Sequence, residues 1–294
     1  MDVRVLRYFL AIAQEHNISH AAHFLHISQP ALSRQISDLE TELGVKLFER
    51  GPRSIKLTSQ GHYLRERAQE IISLVDKTEY NLQASQLSIS GELDIGGGES
   101  IGMQRIMDVI SEIIQDYPNV QIHLHSGDAA DVEAKLDAGT LDFGVIMGFK
   151  PLQQYNSLRL PDKNYWGVIL PAASPLKNKT AITPQDLLGY PLVISEQAQQ
   201  ADRFQDWWRP VFEKLHIVGT YNLIFNAALL VKNQGCLALS FEHLIDLRNS
   251  QLEFRRLKPT VLEPITIIWK QNQTLSSVAQ LFLQRLKTNI AAQA

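Results

Sequence analysis

A single cysteine, Cys236, in 294 residues leaves no internal disulfide to form, which points to a reducing compartment, most simply a bacterial-type cytoplasm. No run approaches the roughly 20 consecutive apolar residues that span a bilayer. The opening Met1-Asp2-Val3-Arg4 has none of the marks of a secretory leader, so neither membrane insertion nor export is expected. Neither sign of charge dominates, the formal net charge being −3. With 45% apolar and 20% charged residues, a disordered chain, a collagen-like repeat and a small disulfide scaffold are all excluded. What remains is a soluble chain long enough for about two domains.

The small net charge hides an uneven distribution. Residues 1–65 carry eight Lys/Arg against six Asp/Glu, whereas residues 91–294 carry 18 against 21. The densest basic stretch is 46–56, with Lys46, Arg50, Arg53 and Lys56 against Glu49 alone. A solvated surface gives the same count, so the charge needs a motif behind it.

The first sixty residues supply one. Leu6, Phe9, Leu10 and Ala13 recur at helical spacing, which predicts an amphipathic first helix. Asn17 and Ser19 offer capping oxygens to a short second helix whose apolar face is Ala21, Ala22 and Leu25. His26-Ile27-Ser28 turns the chain, Ser28 is a good N-cap for a third helix, and Pro30 falls in its first turn, where no N–H is missed. Leu32, Ile36, Leu39 and Leu43 form its expected buried stripe, Gly44 stops it, and Gln29, Ser33, Arg34 and Ser37 lie on its outer face. Two short helices joined by a tight turn, the second presenting polar groups from its N-terminal end, have the layout of a helix-turn-helix. The chemistry suits base reading: Gln pairs with adenine, Arg with guanine, and Ser with a base edge or a phosphate. Residues 45–48 and 54–58 then read as a hairpin with Arg50 and Arg53 near its Gly51-Pro52 tip, a basic wing. The plain alternative is a three-helix packing unit whose polar face is only solvated.

These residues resemble the LysR-type transcriptional regulators. The run Ala21-Ala22, Leu25, Ser28-Gln29-Pro30-Ala31-Leu32-Ser33, Ile36, Leu39-Glu40, Leu43-Gly44, Leu47-Phe48, Arg50, Arg53, Leu57-Thr58 and Gly61 follows that family's N-terminal pattern. One departure is Asn17-Ile18-Ser19-His20, where the family more often has glycine, a small hydroxyl residue and an aromatic. The resemblance implies a mainly α winged helix-turn-helix (1–58), a dimerising linker helix (59–89) and an α/β effector-binding domain (90–294) like periplasmic solute-binding proteins. The last would divide into subdomain I, about 90–162 and 266–294, and subdomain II, about 163–265. By motif position Ser28, Gln29, Pro30, Ser33 and Arg34 would meet DNA, with Arg50 and Arg53 from the wing.

From Ser59 to about Ser88 the chain has no proline and only Gly61 as glycine. Leu64, Ala68, Ile71, Val75, Thr78 and Leu82 alternate by four and three, a seam at coiled-coil spacing. A single helix docked on its own domain gives the same pattern. A palindromic operator requires two readers, so dimerisation through Leu64, Ala68, Ile71, Val75 and Leu82 is expected, and the resemblance adds a tetramer of paired dimers.

After a hinge at 88–91 the rhythm changes. Segments 92–96, 120–125 and 141–147 are strand-like and 101–117 and 128–138 helical. A second set follows, with 165–170, 191–195, 220–225 and 236–241 strand-like and 202–215 and 226–234 helical, before a strand at 265–270 and a helix at 275–290. Such alternation predicts a mostly parallel sheet with helices on both faces and a binding cleft at the strand ends.

Catalytic, cofactor and metal signatures are missing. Gly96-Gly97-Gly98-Glu99-Ser100-Ile101-Gly102 lacks the ending of a P-loop and the dinucleotide spacing, and reads as a strand-to-helix turn. His123 and His125 share a strand face without a third ligand, and His20, His23 and His26 have no cysteine pair nearby. Cys236 sits in an apolar strand and reads as inert, and Trp207-Trp208 as core or interface. No cofactor, no metal and no enzymatic step are expected. The expected function is transcriptional regulation, with operator DNA of dyad symmetry, a small-molecule effector, further copies of the chain and RNA polymerase as partners. The alternative is a solute-binding or transferase-like module with an incidental N-terminal helical domain.

By motif position the resemblance places the effector at Ser100, Ile101, Asp128, Met147 and Ser195, with Arg203 nearby. Many relatives have a small hydroxyl residue where this chain has Asp128. Asp128 and Glu99 would repel a carboxylate unless Arg203, Arg105 or a protonated carboxyl compensates. A neutral, amine-bearing or polyhydroxylated ligand is therefore expected, unless Asp128 only caps its helix and faces away from the cleft.

Overall fold

A computed structural model describes residues 1–50, 55–83, 89–248 and 250–292, with the side chains of Arg50 and of 80–83 outside that description. The chain forms two compact units, one built mainly from residues 1–86 and one from 87–137 and 141–294.

The first unit contains α1 (Val3–Glu15), α2 (Ile18–Phe24), α3 (Gln29–Leu43), the hairpin β1 (Phe48–Arg50) and β2 (Ile55–Leu57), and α4 (Ser59–Gln83). Side-chain caps fix each start. Asp2 accepts from the Arg4 N–H, Asn17 from those of Ser19 and His20, and Ser28 from that of Ala31. Gly44 ends α3 at φ +68°, a left-handed conformation open to glycine at little cost. The core joins Leu6, Phe9 and Ile12 of α1 to Ala21 and Ala22 of α2 and Leu32, Ile36 and Leu39 of α3. Leu43, expected on that stripe, is 38% exposed, because α3 runs past the edge of the core there.

Glu40 takes the buried position instead. Its carboxylate accepts from the backbone N–H groups of Leu47 (2.8 Å) and Phe48 (3.2 Å) and from the Lys46 ammonium (2.7 Å). It thus ties the end of α3 to the start of the wing. Burial pushes the Glu40 carboxyl up, but these donors outweigh burial and hold it below the usual carboxylate range. A group with a depressed folded-state pKa stabilises above its unfolded value, about 4.3, and loses that contribution as pH falls through the folded value. Glu40→Ala, which leaves two N–H groups unpaired, is expected to cost the reader about 1–3 kcal/mol near neutral pH. The difference from wild type should shrink near about pH 3–4. Helical circular dichroism during thermal unfolding at the two pH values checks both the size and the direction.

The second unit contains β3 (Gly91–Gly97), α5 (Gln104–Asp116), β4 (Val120–Ser126), α6 (Ala129–Ala138), β5 (Phe143–Met147), β6 (Tyr155–Pro171), β7 (Pro191–Ser195), α7 (Glu196–Gln200), α8 (Gln205–Trp208), β8 (His216–Tyr221), α9 (Ile224–Lys232), β9 (Leu237–Phe241), β10 (Leu252–Arg256), β11 (Leu262–Lys270) and α10 (Ser277–Ala291). The strand order is β4-β3-β5-β11-β6-β9-β7-β8, with β10 also on β6. The expected mostly parallel sheet is corrected to a mixed one. β3 pairs in parallel with β4 and β5, and β7 with β8 and β9, but every pairing of β6 and β11 is antiparallel.

The reason is that one long strand, β6, runs through both halves, with β11 antiparallel beside its first part. Residues 155–165 of β6 pair with β11, and residues 166–171 with β9 and β10. In the first half, Ile106, Val109, Ile110 and Ile113 of α5 pack with Phe282 and Leu286 of α10 on one sheet face. Val132 and Leu136 of α6 cover the other. In the second half, Trp166, Val168 and Leu170 face one layer and Ile169 the opposite one, the alternation a strand imposes. The expected helix over 202–215 is broken into α8 and a short turn at 212–214, because Pro210 supplies no N–H for a continuing helix. Among the described residues no helix is long and apolar enough to cross a membrane.

Candidate functional site

The first candidate surface is the start of α3. Ser28, Gln29 and Pro30 are exposed there, Ser33 is half-buried, and the Arg34 side chain is 84% exposed, its nearest acidic partner being Asp38 at 4.0 Å. The buried face of α3 fixes the helix on α1 and α2 while this end projects polar donors and acceptors into solvent. The wing tip, with Arg53, lies outside the described residues, and so does the Arg50 side chain.

The second candidate is a cavity of about 340 Å³ in the second unit, within the range of small-molecule sites. It opens between the two halves of the sheet, where the ends of β3, β5, β7 and β8 meet the first turns of α6, α7 and α9. Trp166, Tyr221 and Phe241 line it, with Met147 and Leu223. The Trp166 ring lies 4.1 Å from Phe241 and 4.8 Å from Phe204, centroid to centroid, so the aromatic wall is packed from behind. Its polar groups include Ser126, Ser195, Gln197 and Asn222, and its acidic ones Glu99, Asp128, Asp131 and Glu196. No lysine, arginine or histidine is among the described residues lining it. A chamber of about 50 Å³ adjoins it, lined by Met147, Trp166, Ser195 and Gln197 together with Arg203 and Glu263.

The bacterial regulatory helix-turn-helix model of the lysR family matches residues 3–62, and the LysR substrate binding domain model matches residues 87–291. The chain belongs to the LysR family of transcriptional regulators. It is 28% identical over 290 residues to the HTH-type transcriptional regulator YybE of Bacillus subtilis (strain 168), covering 97% of each chain. It is 29% identical over 210 residues to the HTH-type transcriptional activator IlvY of Salmonella typhimurium, covering 71% of each. Among solved structures, full-length CbnR complexed with its target DNA matches with a TM-score of 0.79 over 98% of this chain and all of that one. At 22% identity that likeness speaks to the fold alone. The reading in which the N-terminal helices are incidental to a solute-binding or transferase-like module is set aside, because those helices match a LysR family model of their own.

The structure brings together only part of the site that the LysR resemblance implied. Asp128, Met147 and Ser195 line the cavity. Ser100 and Ile101 do not: they lie along an adjoining groove with Leu124, Phe225 and Ile245. The Ser100 hydroxyl donates to Asn164 Oδ1 at 2.6 Å and accepts from the Gly102 N–H, so it is committed to the fold. Asp128 meets both alternatives at once, accepting from the Asp131 N–H at 2.8 Å as a cap of α6 while lining the cavity. Neither expected compensating cation is free. Arg203 Nε lies 2.6 Å from Glu263 Oε1, and Arg105 Nε lies 2.5 Å from Asp162 Oδ2. Trp166, Tyr221, Phe241, Asp131 and Glu196 were not anticipated.

The linker seam needs a larger correction. Leu64 and Ala68 are buried in the core of their own unit, with Ile71 packed against its edge, because α4 lies along α1. They cannot face a second copy there. Val75 is half-buried, and the Leu82 side chain falls outside the described residues. Among the described side chains of α4, Tyr63 and Leu74 are the large apolar ones left exposed. Cys236 is buried, and burial pushes its thiol up, in keeping with an inert role. His125 approaches Asp94 at 3.4 Å, and among the described residues no three His, Cys, Asp or Glu converge to hold a metal ion.

Proposed function

We propose that this LysR-type regulator reads operator DNA with the N-terminal end of α3 and is switched by a small molecule held in the 340 Å³ cavity. The observation that carries this reading is the presence, in one chain, of a capped helix with an exposed polar end and of a walled cavity in a separate unit. Gln29, Pro30, Ser33 and Arg34 enter the major groove, with Ser28 holding the first turn, while Arg50 and Arg53 of the wing meet backbone or minor groove. Two readers occupy half-sites about one helical turn apart, or a multiple of it, so the working form is a homodimer or a tetramer of paired dimers. Asp128, Met147 and Ser195 hold the effector. Its unequal affinity for two arrangements of the subunits changes how they sit on DNA and what they offer RNA polymerase, since a ligand that binds both equally shifts nothing. The work is binding, without a catalytic step, and its place is the cytoplasm.

Sequencing of genomic fragments retained by the purified protein tests the reading. A recovered motif with dyad symmetry is expected, adjoining the genes whose pathway supplies the effector. Recovery without any shared motif would overturn sequence-specific reading.

A further inference from the structure

The charges around the cavity narrow what can bind there. Glu99, Asp128, Asp131 and Glu196 line it, and among the described residues only Asp131 has a cation close by, Lys135 at 3.1 Å. A dicarboxylate entering this space would meet like charge on several sides and, among the described residues that line it, no counter-charge. Arg203, the one cation among the described residues of the adjoining chamber, is engaged by Glu263.

Helix N-termini are the usual alternative hosts for an anion, and two of the three here already carry one from the chain itself. Asp128 caps α6 through the Asp131 N–H, and Glu196 occupies the first turn of α7. The third, α9, has no side-chain cap hydrogen bond of its own, although Asn222 Oδ1 accepts from the Leu223 N–H at 2.8 Å. Its first turn can take a hydroxyl or one carboxylate of a zwitterion, but the rest of the cavity calls for positive charge.

A buried acceptor points the same way. Glu263 is 2% exposed, and its Oε1 accepts from Trp166 Nε1 at 3.2 Å and pairs with Arg203, yet its Oε2 has no hydrogen-bond partner among the described residues. An unmet carboxylate oxygen beside the chamber wants a donor, which an ammonium supplies and a carboxylate does not. Trp166, Phe241 and Tyr221 add ring surface of the kind that attracts cations. The acidic side chains do not converge on one point as metal ligands would, which suits an organic cation.

We infer that the ligand of this cavity is a small organic ammonium compound, its cationic end drawn by the acidic lining of Glu99, Asp128 and Glu196 and lying beside Trp166. The inference rests on the cavity being the effector site.

The experiment uses the full chain and a four-carbon series that varies only in end groups: putrescine, γ-aminobutyrate, succinate and butanediol, with choline as a quaternary ammonium. Binding is read by saturation-transfer nuclear magnetic resonance, and affinity by titration. At least one ammonium-bearing probe is expected to bind, and succinate is not. Asp128→Asn and Glu196→Gln should each weaken the bound probe about two- to fivefold, the order expected for loss of one exposed charge partner. Asn caps a helix as well as Asp, so the first change should leave stability in place. Ser195→Trp, or Ser126→Trp if the first folds poorly, fills the cavity and should abolish binding. Succinate or butanediol binding alone, and lost on filling, would overturn the ammonium inference while leaving the effector site standing. Ammonium binding that survives filling would overturn the effector site itself. Failure of every ammonium probe to bind also overturns the inference.

Discussion

Arg203→Met is expected to destabilise the second unit by about 3–5 kcal/mol, the range for removing one member of a buried ion pair. Arg203 Nε sits 2.6 Å from Glu263 Oε1, and Glu263 is almost wholly out of solvent. Removing the guanidinium leaves a carboxylate in a dry place where, among the described residues, the Trp166 N–H is its one remaining donor. Burial already pushes the Glu263 carboxyl above its usual range, against the opposing pull of Arg203 and Trp166. A carboxyl with a raised folded-state pKa holds its proton more tightly folded than unfolded. Its contribution to stability therefore falls as pH rises from the unfolded value, about 4.3, through the folded one. Without Arg203 the folded value rises further, so the loss in Arg203→Met should be smaller near about pH 5 than near about pH 8. Adding Glu263→Gln should restore most of it, because the buried charge is then gone. All four tryptophans, Trp166, Trp207, Trp208 and Trp269, lie in the second unit, so urea unfolding followed by tryptophan fluorescence reports this unit alone. A deficit under about 1 kcal/mol that does not vary with pH would mean that Glu263 is not held as a buried charge.

The Arg203–Glu263 pair also marks what the sequence could not show. Its members are sixty positions apart, and no local pattern ties a residue after α7 to one in β11. The first unit was legible in detail because its determinants are local. Asn17 and Ser28 cap helices within three residues of themselves, and Leu32, Ile36 and Leu39 mark the buried face of α3 by spacing. Where position on the face and residue type disagree, type misleads. Glu40 is one helical turn from Ile36 on the core-facing side, and its charge concealed a buried role. In the second unit the βα rhythm located β3, α5, β4, α6 and β5 to within about three residues, but rhythm says nothing about strand direction. The long antiparallel β6 and β11, and β10 beside them, follow from pairing between distant segments. The seam of α4 failed for a related reason. Heptad spacing says that Leu64 and Ala68 share a face, not which partner covers it, and here the partner is α1 of the same chain. Trp166, Tyr221 and Phe241 were invisible as a group because three separate strands deliver them to one cavity.

Gln29→Ala with Arg34→Ala should bring binding of the cognate operator down toward the protein's affinity for unrelated DNA. Both side chains project from the first two turns of α3, and neither takes part in the core beneath them. Each base contact of this kind discriminates by about 1–3 kcal/mol. Two such contacts per reader, repeated in both half-sites, would account for much of the roughly 10³–10⁷-fold margin between specific and non-specific binding. The fold should be untouched, because Ser28 still caps α3 and Leu32, Ile36 and Leu39 still bury its other face. Salt separates base reading from charge. Arg34 is a cation, so if it met only phosphate its loss would weaken binding to all sequences alike and lower the salt slope by about one per copy. If it reads a base, binding to unrelated DNA should barely change while the cognate site loses its advantage. Retardation assays on operator and scrambled duplexes at two salt concentrations measure both quantities at once. Operator affinity held within about threefold of wild type, less than even one base contact contributes, would remove Gln29 and Arg34 from the reading surface.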